Sequence, residues 1–306
     1  MVAVLMQMGV PILCGALWRI IRPDGLDADL TRAVLATLVF NFLLPALVLS
    51  VLWSAPLGWQ TLKISLYGAA LILVGAALTW LVGRLGAVDR SRLGAAILGV
   101  AFANVTFLGL PVLEHTFGPW ARAIAIQIDL FAGMPLALTF GVLVAKHYGA
   151  PPAGGRGPFR ALLANPPLWA AGTALALNLG GIDKPPWAER LLGSLSEAAI
   201  PLMLVALGLG LRWQRGARRP WGLLAAVLIL KLGLVPLFGL WLAGILGFRG
   251  ETLAALVLEA AMPSMVLGVV FCDRYRLDTP FYALAVTLTT LAALVTLPFW
   301  HQRALT

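Results

Sequence analysis

The chain has 306 residues, 60% of them hydrophobic and 11% charged, with a mean hydropathy of +0.92. A soluble domain is about half apolar and a quarter charged, so this composition excludes one and points to an integral membrane protein whose spans of roughly 20 residues use up the length. The net charge of +9 is accounted for by loop topology and anionic lipid headgroups and carries no inference toward nucleic acid.

Apolar runs separated by charges and Pro/Gly turns predict ten helices, at residues 2–21, 29–53, 61–83, 92–115, 119–145, 161–180, 188–211, 219–246, 251–272 and 279–300. The first lacks a basic leader and a clear small-residue cleavage site, so it reads as a retained span. Cys14 and Cys272 read as small apolar core residues, with no disulfide or metal framework. Glu114 and His115 fall at the outer end of the fourth helix and read as a solvated rim, while His147 and His301 have no partner at ligand spacing, so no metal is assigned. Trp53, Trp120, Trp169, Trp187, Trp221 and Trp300 stand mostly near helix ends and read as interfacial anchors.

Loops after the odd-numbered helices hold 15 Lys and Arg residues against 6 on the other side. Cytoplasmic loops hold the excess, which makes the protein multi-pass in the cell membrane (the inner membrane if bacterial) with both termini outside.

The sequence also repeats itself. Pro11 and Asp27 pair with Pro167 and Asp183, and Pro45 in NFLLPALVLSVL pairs with Pro201 in EAAIPLMLVALG, all at a shift of 156 residues. AAILGVAFANVTFLG pairs with AALVLEAAMPSMVLG at a shift of 159. Three matches in the same order predict a five-helix unit used twice, and five being odd, the second unit enters from the opposite face. The expected architecture is an all-α, 5+5 inverted repeat, a plan used by many secondary transporters. The first repeat covers 1–146, a Gly/Pro-rich cytoplasmic linker 147–160, and the second repeat 161–306.

The corresponding fourth and ninth helices each contain a proline, Pro111 and Pro263. Proline removes a hydrogen-bond donor and clashes with the preceding turn, which lipid tolerates only where protein or a wet cavity supplies partners. At about 1.5 Å per residue, Asn104 and Pro263 lie some 18 Å along their helices, near the middle of a core roughly 30 Å thick. Two helices broken at prolines and crossing there aim half-helix N-termini at one point, which favours an anion.

Asn104 followed by FLGLPV, NPPLWA opening the sixth helix, AAIPLMLVALG in the seventh and EAAMPSMVLG in the ninth, in this order over essentially the whole chain, resemble the auxin efflux carrier family, including its bacterial members. The resemblance implies secondary transport of small organic anions, auxin-like in plants or malate- and malonate-like dicarboxylates in bacteria. It further implies a scaffold of helices 1, 2, 6 and 7, a moving bundle of helices 3–5 and 8–10, and a homodimer packed through the scaffold. By position, Asn104 matches the asparagine beside the substrate carboxylate, with Thr106 next to it, and Pro263 matches the crossover proline. The second asparagine of the plant carriers is absent beside Pro263, and Ser264 is the nearest polar substitute; their long cytoplasmic loop is absent too.

EAAMP is also similar, more distantly, to the Glu-x-x-Met segment of sodium and bile acid symporters, whose glutamate helps bind sodium. That similarity implies sodium at Glu259, although Pro263 stands where those symporters usually carry glutamine. A buried carboxyl serves proton coupling equally well, so both ions stay open. Asp129, Gln127 and Lys231 also fall near mid-depth, where an ionisable residue is costly and usually functional. Lys231 either receives a second substrate carboxylate or forms a structural ion pair with Glu259 or Asp129. Asn41 either lines the substrate path or bonds the carbonyl that Pro45 frees. No cofactor beyond sodium or a proton is implied. Metalloprotease, serine-hydrolase and paired-carboxylate arrangements are absent, so the sequence reads as a carrier and not an enzyme; a uniporter driven by membrane potential, a channel and a ligand sensor are the competing readings.

Overall fold

The computed structural model describes residues 2–55, 58–86, 88–150, 166–211 and 221–305. Residues 151–160 of the linker, the opening of the sixth predicted helix at 161–165, and the basic run 212–220 lie outside the described residues.

In chain order the helices are α1 (Val2–Ile21), α2 (Ala28–Trp53), α3 (Trp59–Leu85), α4 (Arg90–Ala101), α5 (Leu110–Phe117) and α6 (Pro119–Tyr148). Then follow α7 (Pro166–Leu179), α8 (Pro186–Gly210), α9 (Trp221–Ile245), α10 (Gly250–Ala260), α11 (Gly268–Arg274) and α12 (Thr279–Leu305). Six of them, α2, α3, α6, α8, α9 and α12, are long and apolar enough to cross a membrane, and α1 holds a shorter apolar stretch, Gly9–Ile21. The protein is an all-helical, multi-pass membrane protein.

Prolines shape these helices in a consistent way. Widened π-turns at Val39–Leu43, Val105–Gly109, Asp129–Gly133 and Leu230–Leu234 each end two residues before a proline: Pro45, Pro111, Pro135 and Pro236. A proline ring collides with the carbonyl four residues back and offers it no N–H; widening the preceding turn moves that carbonyl aside. The carbonyl that Pro236 leaves without a donor is that of Leu232, and the Trp300 indole N–H donates to it at 2.7 Å. Trp300 is therefore a buried structural donor and not an interfacial anchor.

The expectation that the fourth helix breaks at Pro111 needs correcting. The chain leaves helical geometry earlier, at Phe102 to Asn104, and Pro111 comes seven residues later, where the widened turn Val105–Gly109 accommodates it. In the second break the chain leaves α10 after Ala260, passes through Pro263 and resumes helix at Gly268.

α1 packs on α8, and α2 packs on both α7 and α8. Gly15 and Gly208 let α1 and α8 approach to backbone contact: a Cβ on Gly15 would run into the Val205 carbonyl, and one on Gly208 into the Ile12 carbonyl. Arg19 at the end of α1 donates from Nε to the Leu209 carbonyl at 2.9 Å and pairs with Asp29, tying α1 to α8 and α2. At the far end of α2, Asn178 Nδ2 donates to the Leu52, Trp53 and Ala55 carbonyls, satisfying acceptors that a helix end leaves open. Trp53 Nε1 donates back to the Ile182 carbonyl at 2.7 Å.

A second set of contacts joins α3 to α4 and α6, α9 to α10, and α12 to α4 and α10. The half-helices α4 and α10 lie deepest: every residue from Leu93 to Ala101 and from Ala254 to Ala260 is buried. Wrapped in protein, these are the helices that can afford an unwound backbone. Cys272 is buried as expected, whereas Cys14 is exposed on the outer face of α1.

Candidate functional site

The two breaks meet. Phe102–Asn104 and Pro263–Met265 run antiparallel and exchange backbone hydrogen bonds, Asn104 N–H to the Pro263 carbonyl at 2.8 Å and Met265 N–H to the Phe102 carbonyl at 3.0 Å. Side chains of α12 complete the pairing. The Ser264 N–H donates to Thr289 Oγ1 at 3.2 Å, and the Tyr282 hydroxyl donates to the Met265 carbonyl at 2.8 Å. Gly268 is required beside Tyr282, because a Cβ there would overlap the phenol oxygen. Backbone groups freed by unwinding thus find partners, as they must away from water.

The side chains around the junction do not. Asn104 Nδ2, Ser264 Oγ and both carboxylate oxygens of Glu259 are buried without a hydrogen-bond partner. These residues are 2%, 0% and 1% exposed, so bulk solvent does not serve them either. Asn104 caps the turn that follows the break, yet its side chain makes no capping bond. Buried polar groups are normally paired, and such a concentration of exceptions at one point marks a place built to receive something polar.

Two small cavities flank the junction. One, of about 50 Å³, is lined by Asp129, Lys231 and Glu259 together with Phe102 and Met265, and has room for an ion or a few waters. The other, of about 30 Å³, is lined by Asn104, Thr106, Asp129 and Met265, with Phe40 and Leu44 of α2 opposite. Asp129 reaches both, and it accepts a hydrogen bond from the Thr106 hydroxyl. Glu259 reaches across from α10 to the turn preceding α5, where Gly109 makes room: a Cβ at Gly109 would stand 2.5 Å from Glu259 Oε2. Lys231 is 1% exposed and shares the larger of these cavities with Glu259 and Asp129.

The remaining expected site residues separate from this cluster. Pro111 is buried in α5, one turn and more beyond the break. Asn41 is on an exposed face, where Nδ2 donates to the Thr37 carbonyl at 2.9 Å, so it lines neither cavity and does not serve the carbonyl opposite Pro45. Gln127 lines a third and much larger space, a vestibule of about 490 Å³ between the ends of α2, α3 and α6. Glu114 is not a solvated rim residue: it pairs with Arg122, and the two side chains are 17% and 16% exposed. Sequence reasoning also missed Thr289 and Tyr282, whose roles depend on a long-range pairing that a single sequence does not display.

Broken, mutually paired helices enclosing unpaired polar groups, in a multi-pass membrane protein, are the construction of a transporter. Comparison with known proteins agrees: residues 158–301 match the family model described as "Membrane transport protein". The chain is 29% identical to a protein named "Uncharacterized transporter" from Methanothermobacter thermautotrophicus over 92% of each chain. It is 28% identical to an uncharacterized transporter from Methanocaldococcus jannaschii over 68% of each. Over its second half the chain is similar to this membrane transport family, the one that the sequence resemblance named through the auxin efflux carriers.

Proposed function

We propose that the protein is a secondary transporter of small organic anions, with the substrate carboxylate held at the paired helix breaks and a cation or proton carried at Glu259. The observation that carries this reading is the coincidence at one buried point of two unwound segments with the unpaired Asn104 amide, Ser264 hydroxyl and Glu259 carboxylate. Asn104 and Ser264 supply donors for a carboxylate beside Pro263, with Thr106 two residues beyond Asn104. On the other side of the junction, Glu259, Asp129 and Lys231 supply titratable groups. A hard cation wants oxygen ligands, and the two unpaired oxygens of Glu259 fit one; they fit a proton equally.

Counting α4 with α5 and α10 with α11 as single broken spans gives ten, with both termini outside by the loop charges. The inverted repeat is supported by the ends of α4 and α10, Ala101 and Ala260, which are 159 residues apart, the shift that aligns the two sequences. In this scheme α1, α2, α7 and α8 are the scaffold, through which two copies pair, and the remaining helices move. Neither cavity at the junction admits a dicarboxylate as it stands, so binding requires the bundle to slide against α2 and widen the space by Phe40 and Leu44.

Counterflow of labelled malate or malonate in proteoliposomes tests the site. Asn104→Ala and Ser264→Ala are expected to cut exchange about tenfold or more while leaving the protein monodisperse, the loss expected for a hydrogen bond to a charged group. Exchange at the wild-type rate in both variants overturns the assignment. A second reading, uniport driven by membrane potential, is favoured by Lys231: sharing a cavity with Glu259, it could hold that carboxylate as a fixed counter-ion.

A further inference from the structure

We propose that Arg122 is the first residue to hold the substrate carboxylate, in the vestibule formed by α2, α3 and α6, and that it does so by exchanging Glu114 for the substrate. The proposal rests on the organic-anion reading above.

The vestibule, about 490 Å³, is far roomier than either cavity at the junction and takes a small dicarboxylate with its waters. Its polar lining includes Gln60, Thr61, Gln127 and Thr252, and among the described residues Arg122 is the charged group on its wall. By the loop charges this is the outer face. Two other cations of that face do not line the vestibule and are held by backbone carbonyls: Lys63 Nζ donates to that of Leu246 at 2.8 Å, and Lys184 Nζ to that of Ser50 at 2.7 Å. Burial lowers the pKa of the Lys184 ammonium.

Arg122 is held by Glu114 through one terminal nitrogen only; its Nε and the second oxygen of Glu114 are both buried without a partner. Guanidinium and carboxylate bind best as a two-point fork, so this contact is incomplete on both sides. A free carboxylate entering the vestibule can therefore displace Glu114 and make the better contact.

The exchange has a mechanical consequence. Glu114 belongs to α5, the half-helix beyond the first break, and α5 with the widened turn before it is fastened to α6 at two points, Thr106 of that turn to Asp129 and Glu114 to Arg122. Arg122 and Asp129 are seven residues apart, so the fastenings lie about 10 Å apart along one stripe of α6. Releasing Glu114 frees the outer end of α5 when substrate arrives, while Gln127 and Asp129 lead inward along the same helix to the junction.

The test is concentration-dependent uptake of labelled malonate and malate by reconstituted full-length protein, at low and high salt. Arg122→Gln is expected to raise KM roughly tenfold or more with kcat within about threefold, and to abolish the fall of kcat/KM with ionic strength that an accessible capturing charge produces. Glu114→Gln is expected to lower KM severalfold, and Arg122→Lys to lie between wild type and Arg122→Gln. An unchanged KM and salt dependence in Arg122→Gln overturns the proposal; should that variant not fold, an unchanged or raised KM in Glu114→Gln overturns it. Wild-type protein that carries no carboxylate at all refutes the organic-anion reading, whereas normal wild-type carriage with indifferent Arg122 and Glu114 variants refutes this inference alone.

Discussion

Glu259 and Gly109 form the most informative pair of residues in the protein. The carboxylate of one broken helix lies against the glycine of the other, so a change of charge at Glu259 is felt directly where α5 begins. Gly109→Ala would place a methyl group 2.5 Å from Oε2 and must push the carboxylate away or open the turn. The expected outcome is a protein that still exchanges substrate but loses accumulation against a gradient at least tenfold, measured as the steady-state ratio in proteoliposomes; normal accumulation would show that the contact has no part in coupling. At this scale the sequence was a good guide to residue types and a poor one to partners. Asn104, Ser264 and Glu259 were recognisable because polar groups in an apolar run stand out. The pairing of Arg122 with Glu114 was not, because an arginine next to a loop looks the same whether it is solvated or paired, and its partner belongs to another helix. Asn41 shows the opposite limit: a short amide bonds the carbonyl one turn back, and nothing in the sequence distinguishes that from a ligand.

At the scale of elements, glycine decides how closely helices pack. α8 carries two glycines in contrasting settings. Gly208 faces the α1 backbone with no room for a methyl group, whereas a Cβ at Gly193 meets nothing within 4 Å. Gly208→Ala is expected to force α1 and α8 apart and cost about 1–3 kcal/mol, the usual penalty of overpacking, while Gly193→Ala is expected to be neutral or slightly stabilising. Thermal unfolding of the purified variants in detergent checks both, and equal melting temperatures would contradict the packing described. The prolines mark another boundary of legibility. Their presence announced irregular helices, but Pro45, Pro111, Pro135 and Pro236 are absorbed by widened turns, and the true unwinding at Phe102–Asn104 contains no proline. What unwinds that segment is its pairing with Pro263–Met265, a tertiary effect for which local propensity gives no signal.

For the molecule as a whole, hydropathy and loop charge were sufficient to read a multi-pass membrane protein, since lipid allows so few solutions for the backbone. The account proposed here gives each half of the protein one broken helix, joins the breaks back to back, and sets substrate groups on one side of the junction and titratable groups on the other, with Asp129 common to both. In this scheme Glu259 couples an ion to the movement of an organic anion. The most direct test is uptake of labelled malate, malonate and indole-3-acetate into proteoliposomes under a sodium gradient, a proton gradient or neither, with Glu259→Gln beside the wild type. The account predicts that one gradient drives accumulation by the wild type and that Glu259→Gln exchanges substrate without accumulating it. Uptake that needs no ion gradient, with Glu259→Gln unimpaired, would contradict it and leave Glu259 as the structural counter-ion of Lys231.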